Sequence, residues 1–439
     1  MYSCIKPALY FLPVVFLAYL NPAAAAETFH SGGTGYCGGC HTTHNSSNGR
    51  KATLNDLPTG QANQYLLKGR DQSSTCLGCH ERPGLSGPDG YHVSTAKADM
   101  PDGFPPRQLS PGGDFGWLKK SYNWASEGVG ATSQGERHGH NIVAADYGYA
   151  SDSRLTSSPG GSYPAASLQC TSCHDPHGKY RILPDGTETT SEVPIVSSGT
   201  YGAAPGANEA VGTYRLLAGA GYESRSDPGF AFVNRAPSAV APEAYNRAED
   251  STQTRVAYGT GMSEWCANCH QKLARETFVS GASDQSHPAG KGVKFGTAIS
   301  GSYNSYIKSG DLSGSQAQAY LSLVPYETGD GYDNASRSAL AAQARSDDSM
   351  LDGPSANCNV NCVTCHRAHA GGWESGLRWN GESEYMVYKG QYPGVDNGAP
   401  QDIAQGRTES ETTQAYYRQA RSKFAYDQRS LCNKCHLRD

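Results

Sequence analysis

The sequence predicts a mostly irregular, coil-rich chain with short helices and few short strands. Hydrophobic residues make up only 37% of its 439 residues, and Gly and Pro together number 76. Clusters of Gly, Pro, Ser, Asn and Asp interrupt almost every segment, as is typical of turns and loops. Twelve of the 14 cysteines fall into six copies of Cys-x-x-Cys-His. A chain of this length with so few apolar side chains needs another source of apolar bulk.

The six motifs define six sites, numbered in chain order. Site 1 is Cys37, Cys40, His41; site 2 is Cys76, Cys79, His80; site 3 is Cys170, Cys173, His174; site 4 is Cys266, Cys269, His270; site 5 is Cys362, Cys365, His366; site 6 is Cys432, Cys435, His436. Cys-x-x-Cys-His is the attachment signature of c-type haem. The thiols form thioethers with the porphyrin, and the histidine binds iron. Because all six pairs carry the histidine, disulfide and zinc interpretations are disfavoured.

The motifs therefore predict six covalently bound haem c groups, whose porphyrins would supply the missing apolar bulk. The motifs reach from residue 37 to residue 436. We expect residues 27–439 to form a single hexahaem domain with a multihaem cytochrome c fold, organised around a continuous chain of haems. No separate catalytic domain is expected, and no self-similar repeat is evident between the motifs.

The second iron ligand is predicted by counting the remaining side chains. Eight histidines lie outside the motifs: His30, His44, His92, His138, His140, His177, His287 and His369. Only four methionines follow residue 26, and none lies in an evident ligand loop; no Cys-x-x-Cys-Lys occurs. Bis-histidine ligation of all six irons is therefore expected. It implies low-spin haem of lower potential than Met/His haem, with no open position for a substrate.

Three motifs extend to Cys-x-x-Cys-His-x-x-His, which adds His44, His177 and His369. Each added histidine lies three residues after the first, on the same face of a helical turn. It is too close to reach the opposite side of the same porphyrin. We therefore expect it to ligate a neighbouring haem, the alternative being a surface histidine.

The other distal candidates are His30, His92, His140 and His287. His138 is set aside because it is next but one to His140. Seven candidates remain for six positions, so one is surplus. It is either His30 or His92, and the residues do not decide between them.

Residues 1–26 read as a secretory signal peptide. Lys6 gives a positive start, residues 8–20 are apolar, and small residues end at Ala26, where cleavage is expected. The apolar run is short of the ~20 residues that span a bilayer. The alternative is an uncleaved anchor. No other apolar run approaches membrane length, so no transmembrane segment is expected after cleavage.

Regular elements are predicted sparingly. Helical patterns cover residues 264–278, 335–345 and 409–424, the last opened by a Thr408/Glu411 capping box. Strands are predicted at residues 211–217 and 255–258. The net charge of −5, without a basic stripe, argues against a nucleic-acid partner. Cys358 is left over, either as a buried inert thiol or as a link to another chain.

Nine stretches within and between the motifs carry a family resemblance. They are residues 29–33 (FHSGG), 111–117 (PGGDFGW), 139–144 (GHNIVA), 170–181 (CTSCHDPHGKYR), 252–259 (TQTRVAYG), 261–270 (GMSEWCANCH), 287–290 (HPAG), 359–370 (NVNCVTCHRAHA) and 431–436 (LCNKCH). On these stretches the chain resembles the extracellular, filament-forming hexahaem cytochromes of metal-reducing bacteria. The resemblance implies head-to-tail filaments with stacked bis-histidine haems, in which His44 ligates site 5 of the adjacent subunit. It also implies distal ligands among His30, His92, His140, His177, His287 and His369. His138 and Cys358 depart from the family pattern.

The expected function is extracellular electron transfer by a secreted, non-enzymatic protein, through redox partners, to external acceptors such as metal oxides. One alternative is a monomeric periplasmic electron shuttle, which differs only in assembly. The other is a multihaem oxidoreductase, which would need a haem with an open iron position.

Overall fold

The computed structural model describes residues 35–82, 84, 90–126, 128–242, 249, 255–274, 287–305, 324–347, 349–350, 352–418 and 420–436. Turns, bends and irregular backbone dominate these residues, which confirms the predicted fold class. The expected signal peptide and His30 lie outside the described residues. No helix in the described ranges is long and apolar enough to cross a membrane.

The described residues contain nine short α-helices. They are Cys37–Cys40, Gln72–His80, Met262–Cys266, Gly296–Ser305, Asn334–Ala341, Cys362–Cys365, Gln401–Ala404, Glu409–Ala415 and Cys432–Cys435. Five of them carry residues of a Cys-x-x-Cys-His motif, and the remaining motif begins on the 3-10 helix Cys170–Ser172. A helical turn suits these motifs because residues three apart lie on one face, which brings both thiols to the same side.

The strands are mostly two residues long. Five two-stranded sheets pair Ser46–Ser47 with Arg50–Lys51, Glu81–Arg82 with Ser94–Thr95, Tyr122–Ser126 with Val129–Ser133, Ala239–Val240 with Ala257–Tyr258, and Tyr385–Val387 with Gln428–Arg429. One four-stranded sheet has the order Glu188–Thr189, Arg181–Ile182, Ala210–Gly212, Ile195–Ser198. Two pairings are parallel: Glu81–Arg82 with Ser94–Thr95, and Ala210–Gly212 with Ile195–Ser198. Sheets this small join neighbouring loops by a few hydrogen bonds and do not form a packed layer.

Two predicted helices begin where expected and end early. The helix Glu409–Ala415 has the predicted capping box: Thr408 Oγ1 accepts the Glu411 N–H, and Glu411 Oε2 accepts the Thr408 N–H. It stops because the next turn contains left-handed residues, Tyr417 and Arg418, both at φ 54°. The prediction for residues 335–345 corresponds to the helix Asn334–Ala341.

The other three predicted elements are partly wrong. The helix predicted at 264–278 ends at Cys266, and residues 267–269 and 271–273 are turns; residues 275–278 lie outside the described ranges. The strand predicted at 211–217 ends at Gly212, because Arg215 adopts φ 50° within a 3-10 turn. Of the strand predicted at 255–258, only Ala257 and Tyr258 pair in a sheet, while Arg255 forms a single bridge with Arg345.

The core is divided rather than continuous. The largest cluster gathers side chains from Leu77 to Leu431 around Trp117 and Trp373. A separate, smaller cluster packs around Tyr214 and Tyr258. Several contacts that join segments are polar or cationic instead of apolar. This divided packing is what the low hydrophobic content predicts.

Candidate haem sites

Each Cys-x-x-Cys-His turn is fixed locally by hydrogen bonds. At site 5, Asn361 caps the helix: its side chain accepts the Thr364 N–H at 3.0 Å, and Thr364 Oγ1 accepts the Asn361 N–H at 3.0 Å. At site 2, the carboxylate of Asp71 accepts the Ser74 N–H at 2.7 Å. Such caps satisfy the free N–H groups of a first turn, so these motifs begin in a defined geometry.

A backbone carbonyl accepts the Nδ1–H of five motif histidines. The pairs are His41 with Tyr65 (3.0 Å), His80 with Tyr91 (2.7 Å), His174 with Arg215 (2.9 Å), His270 with Pro159 (2.8 Å) and His366 with Ser375 (2.8 Å). Metal-ligating histidines characteristically donate their other ring N–H in this way, which fixes the tautomer and the ring orientation. Nε2 is thereby the ring nitrogen that could bind iron.

Four motif histidines face a second histidine ring. The ring centres are 6.4 Å apart for His41 and His177, 6.4 Å for His174 and His369, 6.0 Å for His270 and His140, and 5.8 Å for His436 and His287. A metal–imidazole bond is about 2 Å, so two imidazoles on opposite sides of one metal have ring centres about 6 Å apart. These pairs therefore have the spacing of bis-histidine ligation at sites 1, 3, 4 and 6.

Site 5 has no second histidine among the described residues. No described histidine ring faces His366 at such a spacing, and His44 is exposed with no ring partner in the described part of the chain. Within the described ranges, the structure therefore does not bring either of these two predicted ligands to an opposed histidine.

At site 2, the residues on either side of His92 contact His80 through their backbone. The carbonyl of Tyr91 accepts the Nδ1–H of His80, and the Val93 N–H donates to the carbonyl of His80 at 2.9 Å. The His92 ring packs on the Tyr91 ring, with centres 3.9 Å apart. The carbonyl just before His92 therefore lies at the Nδ1 edge of His80. The rival candidate, His30, lies outside the described residues.

His138 has no ring nitrogen left for iron. It is fully buried; its Nδ1 donates to the carbonyl of Trp117 at 3.1 Å, and its Nε2 lies 2.8 Å from the hydroxyl of Ser133. Burial, reinforced by the positive charge of Arg407, lowers the pKa of His138 to about 3. It is a neutral, hydrogen-bonded core residue.

The cysteines place the six sites in single file. The thiol of Cys76 lies beside that of Cys170, and the thiol of Cys266 lies beside that of Cys362, so that each shifts the pKa of the other. Second cysteines interact electrostatically in the pairs Cys40 with Cys79, Cys173 with Cys269, and Cys365 with Cys435. Neighbouring sites thus meet alternately through their second and first cysteines, in the order 1 to 6. The first cysteines at the two ends, Cys37 and Cys432, are exposed.

Disulfide bonds or a bare metal site fit these cysteines and histidines less well than haem does. All thirteen described cysteines are free, so the described residues hold no disulfide. No three His, Cys, Asp or Glu side chains converge there as they would around a bare metal ion. The buried His369 Nδ1 lacks a hydrogen-bond partner, although its ring faces His174 and stacks on Phe115. Paired thiols beside opposed imidazoles fit covalent haem. Cys358 is buried, with Sγ 3.4 Å from the Ser355 hydroxyl, as an inert thiol would be.

Sequence reasoning missed a backbone repeat at the motifs with a second histidine. At each, the motif histidine bridges a downstream leucine: His41 with Leu67, His174 with Leu217, and His366 with Leu377. The sequence between the motifs shows no self-similar repeat, and this backbone repeat is local to three of them. The sequence signal is a leucine two residues after Tyr65, Arg215 and Ser375, within a Leu-Leu-x-Gly that only the first two share, and it is too short to be recognised unaided.

The irregular fold, the Cys-x-x-Cys-His turns and the opposed histidines define a multihaem c-type cytochrome with covalently bound haem. No family model matches the chain. The chain is 51% identical over 435 residues to the C-type cytochrome OmcS of Geobacter sulfurreducens, and the alignment covers 98% of each sequence. The protein therefore belongs to the OmcS family of c-type cytochromes.

Two solved structures have the same fold. One is a cryo-EM structure of OmcS nanowires from Geobacter sulfurreducens, and the other is an outer membrane cytochrome S filament from the same organism. Each has a TM-score of 0.86 and 50% sequence identity, and the match covers 94% of this chain and 100% of the other. The predicted resemblance is thus confirmed in both sequence and fold.

Proposed function

We propose that this protein is a secreted hexahaem cytochrome that carries electrons outside the cell as a head-to-tail polymer. The observation that carries the proposal is the single file of six sites from Cys37 to Cys435, with opposed histidines at four of them. A haem iron held between two histidines accepts and passes single electrons at a potential that its ligands tune. Such a row suits conduction along the whole subunit.

The chain's own residues make it a carrier rather than a catalyst. Thioethers from the cysteine pairs hold each porphyrin where little side-chain packing is available. Two imidazoles per iron leave no open position for a substrate, which distinguishes this proposal from a multihaem oxidoreductase. We assign opposed pairs to sites 1, 3, 4 and 6, as their ring spacings support.

At site 2 we assign His30, leaving His92 as the surplus histidine. His140 precedes the site 3 motif and faces His270 of site 4; His287 precedes the site 5 motif and faces His436 of site 6. A histidine before an odd-numbered motif thus serves the next even-numbered site. By this rule His30, which precedes the site 1 motif, serves site 2. The carbonyl of Tyr91, the residue before His92, lies at the Nδ1 edge of His80, which supports the same assignment.

At site 5 we assign His44 of another subunit. The added histidine of site 5, His369, faces His174 of site 3, and the added histidine of site 3, His177, faces His41 of site 1. Each therefore reaches back by two sites. His44 belongs to site 1, and two sites back from site 1 is site 5 of the adjoining subunit in a row of six. His366 faces no described histidine. His44 of the adjoining subunit would therefore supply the second imidazole at site 5.

The proposed assembly and location of this protein rest on its similarity to the two filament structures. The two similar structures are described as nanowires and as a filament of an outer membrane cytochrome. For this chain we propose export with removal of residues 1–26, a homopolymer outside the cell or on its outer surface, and redox partners at its ends. The external acceptors would be of the metal-oxide type.

The test is His44→Ala, examined by electron microscopy and by EPR spectroscopy of the purified protein. Wild type should show six low-spin haems and filaments. The variant should lose filaments and show one haem per subunit that is high-spin or bound to an adventitious ligand, because site 5 lacks its second imidazole.

The matched control is His92→Ala, which removes another non-motif histidine and should retain filaments and six low-spin haems. Filaments with six low-spin haems in His44→Ala would contradict the trans-ligation. Monomers of wild type at all concentrations would favour the periplasmic shuttle instead.

A further inference from the structure

The three odd-numbered sites share one backbone arrangement, which we call the carbonyl clip: residues 65–68, 215–218 and 375–378. At site 1, the carbonyl of Tyr65 accepts the His41 Nδ1–H at 3.0 Å. The next carbonyl, of Leu66, accepts the N–H of Thr42 at 2.8 Å, and the N–H of Lys68 donates to the carbonyl of Cys40 at 2.9 Å. Three hydrogen bonds thus hold the histidine and both of its neighbours.

The same three bonds recur at site 3. The carbonyl of Arg215 accepts the His174 Nδ1–H at 2.9 Å. The carbonyl of Leu216 accepts the Asp175 N–H at 2.7 Å, and the Ala218 N–H donates to the carbonyl of Cys173 at 2.9 Å. Each partner occupies the same position relative to the motif as at site 1.

Site 5 repeats the arrangement with a different local sequence. The carbonyl of Ser375 accepts the His366 Nδ1–H at 2.8 Å. The carbonyl of Gly376 accepts the Arg367 N–H at 2.7 Å, and the Arg378 N–H donates to the carbonyl of Cys365 at 2.8 Å. Because the side chains differ from those at sites 1 and 3, the arrangement is preserved by the backbone alone.

The residue that supplies the carbonyl is strained in every clip. Tyr65, Arg215 and Ser375 have φ values of 56°, 50° and 57°. Non-glycine residues seldom adopt this left-handed conformation, and it persists where surrounding structure requires it. At sites 2 and 4 the acceptors are the carbonyls of Tyr91 and Pro159, neither of which has a positive φ. The strain is therefore shared by the three odd-numbered sites and is absent at sites 2 and 4.

We propose that the chain repeats one two-site unit three times, and that Tyr65, Arg215 and Ser375 are the positioning residues of its odd-numbered sites. Each left-handed residue aims its carbonyl at Nδ1 and fixes the plane of the motif histidine. The bond also makes the imidazole a more basic ligand, which favours ferric iron and lowers the potential. This inference rests on the proposed role of the motif histidines as iron ligands.

Ser375→Val is the test, because Ser375 is exposed and its side chain makes no hydrogen bond in the described structure. A β-branched residue strongly resists positive φ, so the carbonyl should turn away from His366. One of six haem components should move to higher potential in a redox titration, and its low-spin EPR signal should change. Ser375→Ala should give a smaller shift, and Ser375→Gly none.

The matched control is Lys389→Val, which places the same side chain at another left-handed residue, φ 51°, in a turn that contacts no motif histidine. It should leave all six components unchanged. Unchanged components in both Ser375→Val and Ser375→Ala, or an equal shift in Lys389→Val, would overturn the proposal. The redox titration and the EPR spectrum report on each haem component separately. A failure of trans-ligation by His44 would therefore be recognised independently, because the site 5 haem would not be low-spin in wild type.

Discussion

At the scale of single residues, neighbours in sequence have unrelated roles. His138 is fully buried with both ring nitrogens hydrogen-bonded, whereas His140 faces His270 and donates its Nδ1–H to the carbonyl of Ala368. The sequence alone set His138 aside only because it lies near His140. The physical reason, contacts with Trp117 and Ser133, depends on the folded chain and could not be read from the local sequence.

Glu327 is a buried carboxyl that the sequence gave no reason to notice. It is 1% exposed and accepts hydrogen bonds from the Met262 N–H and from Asn359 Nδ2, both at 3.1 Å. No ion pair reaches it within the described residues. Burial, with a smaller contribution from the negative charge of Glu264, raises the pKa of Glu327 to about 7. The group should therefore be protonated in the folded protein below neutral pH.

Glu327→Gln should remove a pH dependence of stability. The folded pKa lies above the unfolded value of 4.5, so the stabilisation is present below pH 4.5 and is lost as pH rises through 7. The full effect is roughly 3 kcal/mol. Thermal melts at pH 5 and pH 8 should show the variant gaining on wild type at pH 8. The exposed Glu384, which pairs with Arg429 at 2.9 Å, provides the control Glu384→Gln. A constant difference between Glu327→Gln and wild type would refute this.

At the scale of elements, helix starts were predictable and helix ends were not. The Thr408/Glu411 capping box is a local signature and occurs as expected. The ends depend on contacts made elsewhere: at the end of Met262–Cys266, the amide oxygen of Asn268 accepts the backbone N–H groups of Val233 and Asn234. Such long-range hydrogen bonds compete with continued helix. The same holds for the carbonyl clips, whose acceptor residues lie 9 to 41 residues from their histidines.

The loop at Gly113 depends on a missing side chain. Gly113 has φ +106°, and a Cβ there would overlap the carbonyl oxygen of Ala370, next to His369. Gly113→Ala should therefore cost about 3 kcal/mol or more and disturb the opposed pair at site 3. Gly128→Ala is the control, because Gly128 has φ +81° but open space around its Cβ position; it should cost only about 1 kcal/mol. Denaturant unfolding followed by haem absorbance would measure both, and equal losses would count against the steric explanation.

At the scale of the whole molecule, the sequence predicted which residues attach the haems but not which histidine rings face each other. Cys-x-x-Cys-His is a local covalent signature, so the cysteines and motif histidines could be named from the sequence. The opposed rings, such as His41 with His177 and His436 with His287, join distant segments. Their pairing follows from the path of an irregular chain, which no periodic pattern encodes.

The proposed polymer is polar, so a subunit that accepts but cannot donate should terminate it. His44→Ala retains site 5 and can receive His44 from wild type, but offers no histidine in return. Co-expressed with wild type, it should shorten filaments in proportion to its share, as measured by electron microscopy. His92→Ala at the same share should co-assemble without shortening them. Filaments of unchanged length with incorporated His44→Ala would show that assembly does not need this ligand.

The backward reach of the added histidines has a consequence for how a subunit matures. A chain exported from its N-terminus presents His41 long before His177, and His174 long before His369. On the proposed ligation, sites 1 and 3 must wait for a ligand that has not yet emerged, so the first part of the protein to cross the membrane is completed late. His44 differs from the other two added histidines, because the iron it is proposed to bind belongs to a neighbour and is not supplied by its own chain at all.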